Sequence, residues 1–243
     1  MPIDFLYIGF SSIKLISQGG VNVVIDPWLT ENPDCRVRLE ELGDVDVLLV
    51  SHGARDHFGD TLEVMRRSDA KLYCGREVAF YCTRNGIPSS RIRSLVYGAT
   101  FRHGDVEVRA VEARHCSFME VDGQLLSGQP LGFVVGFDSG EKLYFPGDTA
   151  IFSDLKLIGD LHQPNIALFG VGSVRGGPTE MNPEEAVLAA KWIGARIVMP
   201  IHYLPETPNR QAFVDGVRAT GLPFEVLDMN SGDRRTVTAM GRI

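Results

Sequence analysis

The chain has 243 residues, enough to bury a sizeable core in one large domain or two small ones. Its 24 Lys and Arg against 31 Asp and Glu give a net charge of −7, which argues against a nucleic-acid backbone as partner, because phosphates draw clustered cations. No run of 18 apolar residues, no basic leader in "MPIDFLYIGF" and no C-x-x-C spacing among Cys35, Cys74, Cys82 and Cys116 together predict a cytoplasmic protein with reduced thiols and no membrane span.

The chain begins as strands. "DFLYIGF", "SSIKLIS" and "VNVVIDP" are short, β-branched or aromatic, and divided by turn residues such as Gln18-Gly19-Gly20. Residues 27–44 read as irregular, then "DVDVLLV" as a buried strand. "GDTLEVMRR" predicts a helix starting near Asp60 or Thr61, "AKLYCG" a strand, and "REVAFYCTRNG" a helix closing on Asn85-Gly86. "RIRSLVYG" leads into "FRHGDVEVRAVEARH", where Val106, Val108 and Ala110 alternate with charged neighbours as in a half-exposed strand. Residues 116–130 read either as a flap over a site or as a hairpin on a partner subunit, the latter in a homo-oligomer.

"LGFVVGFDSGEKLYFPGD" reads as a hairpin turning at Asp138-Ser139-Gly140. The end switches to strand and helix in alternation: "NIALFGVG", a helix at 183–193, "ARIVMPI", a helix near 208–220, "FEVLDM" and a last strand "RRTVTAM". Pro183 suits a first helical turn, and Glu184 and Glu185 suit the positive end of the helix dipole. Each half has strands before helices and no linker separates them. The expectation is an α/β fold in one domain over 1–243, two packed mixed sheets with helices outside.

Four apolar strands each deliver a His or Asp to the loop that follows. "DVDVLLVSH" ends in His52, with Asp56 and His57 next; "VEVRAVEARH" ends in His115, "KLYFPGD" in Asp148 and "RIVMPIH" in His202. Sites in open α/β sheets lie outside the carboxyl ends of strands. A lone His or Asp there is usually a cap or a core residue, and His103 and His162 read as exposed turn residues of that kind. Four such ends together point to a metal centre. Imidazole and carboxylate suit Zn²⁺ best, with Mn²⁺ or Fe as alternatives.

"SHGARDH" resembles the H-x-H-x-D-H signature of the metallo-β-lactamase superfamily, with Ala54 where the second His stands. The order His115, Asp148 in "PGDT", then His202, and the early "VVIDP", resemble it too. "SHGARDHFGD", "MNPEEA" and "PIHY" resemble a narrower branch, the L-ascorbate-6-phosphate lactonase-like hydrolases. The resemblance implies a four-layer αββα sandwich with two adjacent metal positions. By similarity His52 and His115 belong to the first, Asp56, His57 and His202 to the second, and Asp148 bridges both. Ala54 offers no donor atom, so the first is weakened and one ion is favoured over two. Such an ion polarises a carbonyl or phosphoryl oxygen and acidifies bound water, while Asp56 or Asp148 shuttles a proton.

Arg55 cannot ligate. Pointing inward it repels a second cation by several kcal/mol at ~4 Å; pointing outward it solvates a loop. Asp26 is either an acceptor that orients a ligand histidine or a turn residue before Pro27. Cys116 reads as a loop thiol, and Arg175, in the Gly-rich "GSVRGGPTEMN", as a contact for an anionic substrate. The expected activity is metal-dependent hydrolysis of an ester, lactone or phosphoester of a small molecule. Its rivals are an impaired relative that binds a small ligand or a protein, and a redox or oxygen-handling iron site on the same fold.

Overall fold

The first strands form where β-branched and aromatic runs stand: β1 (Ile3–Gly9), β2 (Ser12–Ile16), β3 (Asn22–Ile25), β4 (Val47–Val50), β5 (Lys71–Cys74) and β6 (Ile92–Ser94). The structure is a computed structural model and describes residues 2–172, 180–238 and 243. The later strands are β7 (Thr100–His103), β8 (Val106–Glu112), β9 (Ser117–Val121), β10 (Gln124–Gly128), β11 (Leu131–Phe137), β12 (Lys142–Phe145), β13 (Ile166–Gly170), β14 (Ile197–Ile201), β15 (Glu225–Val226) and β16 (Arg234–Val237). One seven-stranded sheet has the order β16-β1-β2-β3-β4-β5-β6, and the other β15-β14-β13-β12-β11-β8-β7. From β3 to β6, and from β12 to β15, the pairing is parallel. Ladders of that kind are buried on both faces, which is why β4, β13 and β14 read as unbroken apolar runs.

The pleat assigns alternate residues to different layers. Val47 and Leu49 join Phe133, Phe145 and Leu168 in the core between the sheets. Leu48 and Val50 face the opposite way, onto α1 (Arg55–Phe58), α2 (Thr61–Arg67) and α3 (Arg76–Arg84). On the far side, Tyr144, Phe169 and Val198 meet α4 (Leu155–His162), α5 (Pro183–Ile193) and α6 (Asn209–Ala219). The result is the four-layer arrangement, helices outside two mixed sheets.

Helix α5 matches its expected limits, and its start is fixed locally. The Asn182 side chain accepts from the Glu185 amide at 2.9 Å, and the Glu185 carboxylate accepts from the Asn182 amide at 3.0 Å. Other elements differ from expectation. "FRHGDVEVRAVEARH" is two strands turning at Gly104-Asp105. Residues 116–130 hold the hairpin β9–β10, one of the two forms expected, and its Met119 and Val121 pack with Val78 and Cys82 of α3. Helix α4 was not legible, because Gly159 interrupts it and glycine weakens a helix by about 1 kcal/mol. A Cβ at Gly159 would lie 2.7 Å from the carbonyl oxygens of Trp192 and Ile193, so the glycine lets α4 press on the end of α5. The last expected strand stops at Val237, and residues 239–240 lie outside the described ones.

Candidate metal centre

Asp148 stands at the middle of the strand-end cluster. Its carboxylate lies 3.1 Å from His202 Nε2, 3.2 Å from His57 Nε2, 3.8 Å from His115 Nε2 and 3.9 Å from His52 Nε2. Asp56 Oδ2 lies 3.5 Å from His202 Nε2. The six residues expected as metal ligands therefore lie together, at the carboxyl ends of β4, β12 and β14 and in the loop after β8. His57 and Asp56 reach the cluster from α1, a single turn that follows β4.

The backbone is bent to make this meeting. Asp26 (φ +48°), His202 (φ +53°) and Phe10 (φ +57°) all occupy the left-handed region, which costs non-glycine residues of order 1 kcal/mol each. Asp26 is turned so that its amide donates to the Leu49 carbonyl at 2.9 Å. Its carboxylate then accepts from Ser51 N at 2.7 Å and from Ser51 Oγ at 2.6 Å, and stands 2.7 Å from His57 Nδ1. His202 donates its amide to the Phe10 carbonyl at 3.0 Å, and the two rings pack at 4.2 Å.

Glu180 was not singled out in the sequence. Its side chain is 1% exposed, and Oε1 lies 3.4 Å from His202 Nδ1. Glu180 thus stands to His202 as Asp26 stands to His57: each carboxylate holds the Nδ1 side of a ring whose Nε2 faces Asp148. Nothing in "PTEMNPEEA" separates this buried glutamate from the exposed Glu184. Carboxylates so placed fix ring orientation and strengthen the ligand. Asp26→Asn and Glu180→Gln are each expected to weaken metal binding about 10- to 100-fold, measured by competition with a chelator, with Glu184→Gln as the unaffected control.

The donor set fits a cation. His52 Nε2, His57 Nε2 and Asp148 Oδ1 are buried with no hydrogen bond of acceptable geometry, an expensive state for polar atoms facing one another. Ligand atoms around a tetrahedral Zn²⁺ sit about 3.3 Å apart, given bonds of about 2.0–2.1 Å. The separations of 3.1–3.5 Å among Asp56, His57, Asp148 and His202 fall there, while those from His52 and His115 to Asp148 are longer. Groups able to hold an ion are His52–His57–Asp148, Asp56–His57–His202 and Asp148–Glu180–His202.

Without a cation these groups charge each other. Burial opposes it, yet Asp148 and Asp26 raise the His57 imidazole to about 10. His202 is likewise raised against burial by Asp148, Asp56 and Glu180. Burial would raise Asp56, but His202 and His57 bring it down to about 2; the same two rings hold Asp148 well below the carboxylate range. Burial and the neighbouring His57 push His52 well below the usual imidazole range.

Arg55 does not enter the cluster. Its side chain is 77% exposed and lies 3.6 Å from Glu31, in the outward of the two expected orientations, where solvent screens its charge. Cys116 is an exposed free thiol. His103 and His162 are half-buried where exposed turns were expected: His103 ends β7 opposite Val106, and His162 ends α4. Arg175 lies outside the described residues.

Residues 21–203 match the family described as the β-lactamase superfamily domain. A UPF0173 metal-dependent hydrolase of Rubrobacter xylanophilus is 39% identical over 234 residues, covering 93% of each chain. Another, of Methanosphaera stadtmanae, is 38% identical over 199 residues, 81% of this chain and 82% of its own. Among solved structures, Igni18, described as a metallo hydrolase from Ignicoccus hospitalis, is 28% identical with a TM-score of 0.83, covering 99% of this chain and all of its own. A strand-end centre of histidines and carboxylates, the αββα layers and these relatives place the chain in the metallo-β-lactamase superfamily, as a metal-dependent hydrolase.

Proposed function

We propose that the chain cleaves an ester, lactone or phosphoester bond of a small molecule, using a transition metal held by Asp56, His57, Asp148 and His202. The supporting observation is the convergence of four imidazole Nε2 atoms on the single buried carboxylate of Asp148. Zn²⁺ suits these donors, with Mn²⁺ and Fe as alternatives. When bound, the metal supplies Lewis acidity toward water and toward the scissile carbonyl or phosphoryl oxygen. The longer approaches of His52 and His115, and the methyl group at Ala54, favour a weaker first position beside a tight second one.

The chain's own residues do the remaining work. Asp26 and Glu180 orient His57 and His202 from behind. Asp56, with 32% of its side chain exposed against 7% for Asp148, is the carboxylate with access to solvent and is placed to take a proton from the attacking water and release it. The free thiols of Cys35, Cys74, Cys82 and Cys116 suit a reducing compartment, which we take to be the cytoplasm. A panel of chromogenic esters, lactones and phosphodiesters, run with Zn²⁺ or Mn²⁺ and with chelator, tests the reading. Turnover is expected only with metal and is expected to fall at least about 100-fold in His57→Ala, given the buried partners that ring leaves behind. Folded, metal-loaded protein with no turnover on any class would favour the ligand-binding reading instead.

A further inference from the structure

Glu77 is an acid with no place in the chemistry above. It sits in the first turn of α3, 3% exposed, with Oε2 buried and lacking a hydrogen bond. A buried carboxylate is costly unless paired. Its Oε1 accepts from the hydroxyl of Ser117, which is itself 2% exposed. That same hydroxyl oxygen accepts from the amide of Gly53 at 3.0 Å.

The positions at the two ends of this chain of bonds matter. Gly53 is flanked by His52 and by Ala54, the residue that lacks a donor. Ser117 lies two residues beyond His115. The bond therefore ties the loop carrying one first-position histidine to the segment carrying the other. The segments approach closely here: a Cβ at Gly53 would overlap the Phe118 carbonyl oxygen, and one at Gly128 would overlap Glu77 Oε2. The hairpin backbone thus presses on both the loop and the carboxylate.

We propose that Ser117, held by Glu77, is a positioning residue that fixes the spacing of His52 and His115, so that the first metal position fills despite Ala54. The inference rests on the metal-centre reading above. A hydroxyl clamp of this kind adds no donor; it lowers the ordering cost that His52 and His115 meet on binding.

Co²⁺ titration of the full chain, followed by d–d absorption and elemental analysis, is the test. Two uptake steps are expected in the unaltered protein. In Ser117→Ala the weaker step is expected to lose about 10- to 100-fold in affinity while the tighter step keeps its spectrum and midpoint. Glu77→Gln keeps an acceptor for Ser117 and is expected to behave like the unaltered protein. Because Ser117→Ala strands the Glu77 carboxylate, Ser117→Ala/Glu77→Leu is made beside it; removing both partners restores fold stability without restoring the step. Amide exchange across residues 51–54, measured in chelator, is expected to quicken in both Ser117 variants. An unchanged weak step, or a single Co²⁺ step in the unaltered protein, overturns the proposal. No Co²⁺ uptake at all overturns the metal reading instead, and unchanged exchange at 51–54 then rejects the clamp on its own.

Discussion

Asp148→Ala is expected to strip the protein of metal and end turnover, the largest effect of any single substitution at the centre. The carboxylate lies within 3.9 Å of all four histidines. Its loss removes the shared anionic donor from both positions and leaves His57 and His202 without their main counter-charge. Breaking a buried ion pair costs roughly 3–5 kcal/mol, which is about two to four decades in an equilibrium constant. Metal content by elemental analysis after gel filtration is expected near zero, against near-full occupancy of the tight position in the unaltered chain. Asp148→Asn keeps the shape and one acceptor but not the charge, and is expected to fall between them. Retention of full metal content in Asp148→Ala would show that the histidines bind without it.

The second large effect is on pH. A metal at His57 and His202 must displace the protons that Asp148 stabilises there, helped by Asp26 at His57 and by Asp56 and Glu180 at His202. His57 titrates near 10 when no cation is present, against an ordinary value of 6.5, and His202 is moved the same way. Each proton displaced makes the apparent dissociation constant fall about tenfold per pH unit while the pH stays below the raised value. From pH 7 to 9 the affinity is expected to strengthen between roughly 10- and 100-fold per unit, as one or two protons leave. Calorimetry in buffers of different ionisation enthalpy counts those protons directly. Stability of the chelated protein runs the opposite way. A raised imidazole contributes stability that is complete below 6.5 and disappears as pH climbs through about 10. The melting temperature in chelator is therefore expected to drop across that interval, and the gain on adding metal to widen. A pH-independent affinity would mean that the rings are neutral before metal arrives.

Much of this was legible in residue order, for identifiable reasons. Strands buried on both faces must be apolar throughout, so β4, β13 and β14 stood out, and the polar residue ending such a run stood out with them: His52 and His202 are of that kind. Helix α5 carries its own start signal in Asn182, Pro183 and Glu185. What stayed hidden depends on contacts between distant segments. Glu180 is set apart from Glu184 only by burial beside His202, 22 positions further on. Asp26 before Pro27 could as well have been an ordinary turn, until its carboxylate is seen to span Ser51 and His57. Arg55 needed its rotamer, since Glu31 draws it outward. Helix α4 needed its neighbour, because Gly159 makes sense only against the end of α5.

Asp26, His52, Asp56 and His57 come from the β1–β6 half, and His115, Asp148 and His202 from the half that contains β7 to β15. An ion bound by ligands from both halves, with Asp26 supporting His57 from behind, is a cross-link between the two sheets at one rim of the sandwich. Neither half can form the cage alone, so the unfolded chain has no comparable affinity, and saturation adds about 4 kcal/mol of stability at a thousandfold excess over the dissociation constant. Loading then reports that the two layers have docked in register. Chelation should let that rim open before the rest of the molecule yields, so that hydrogen exchange and proteolysis begin at the loops after β4 and β14.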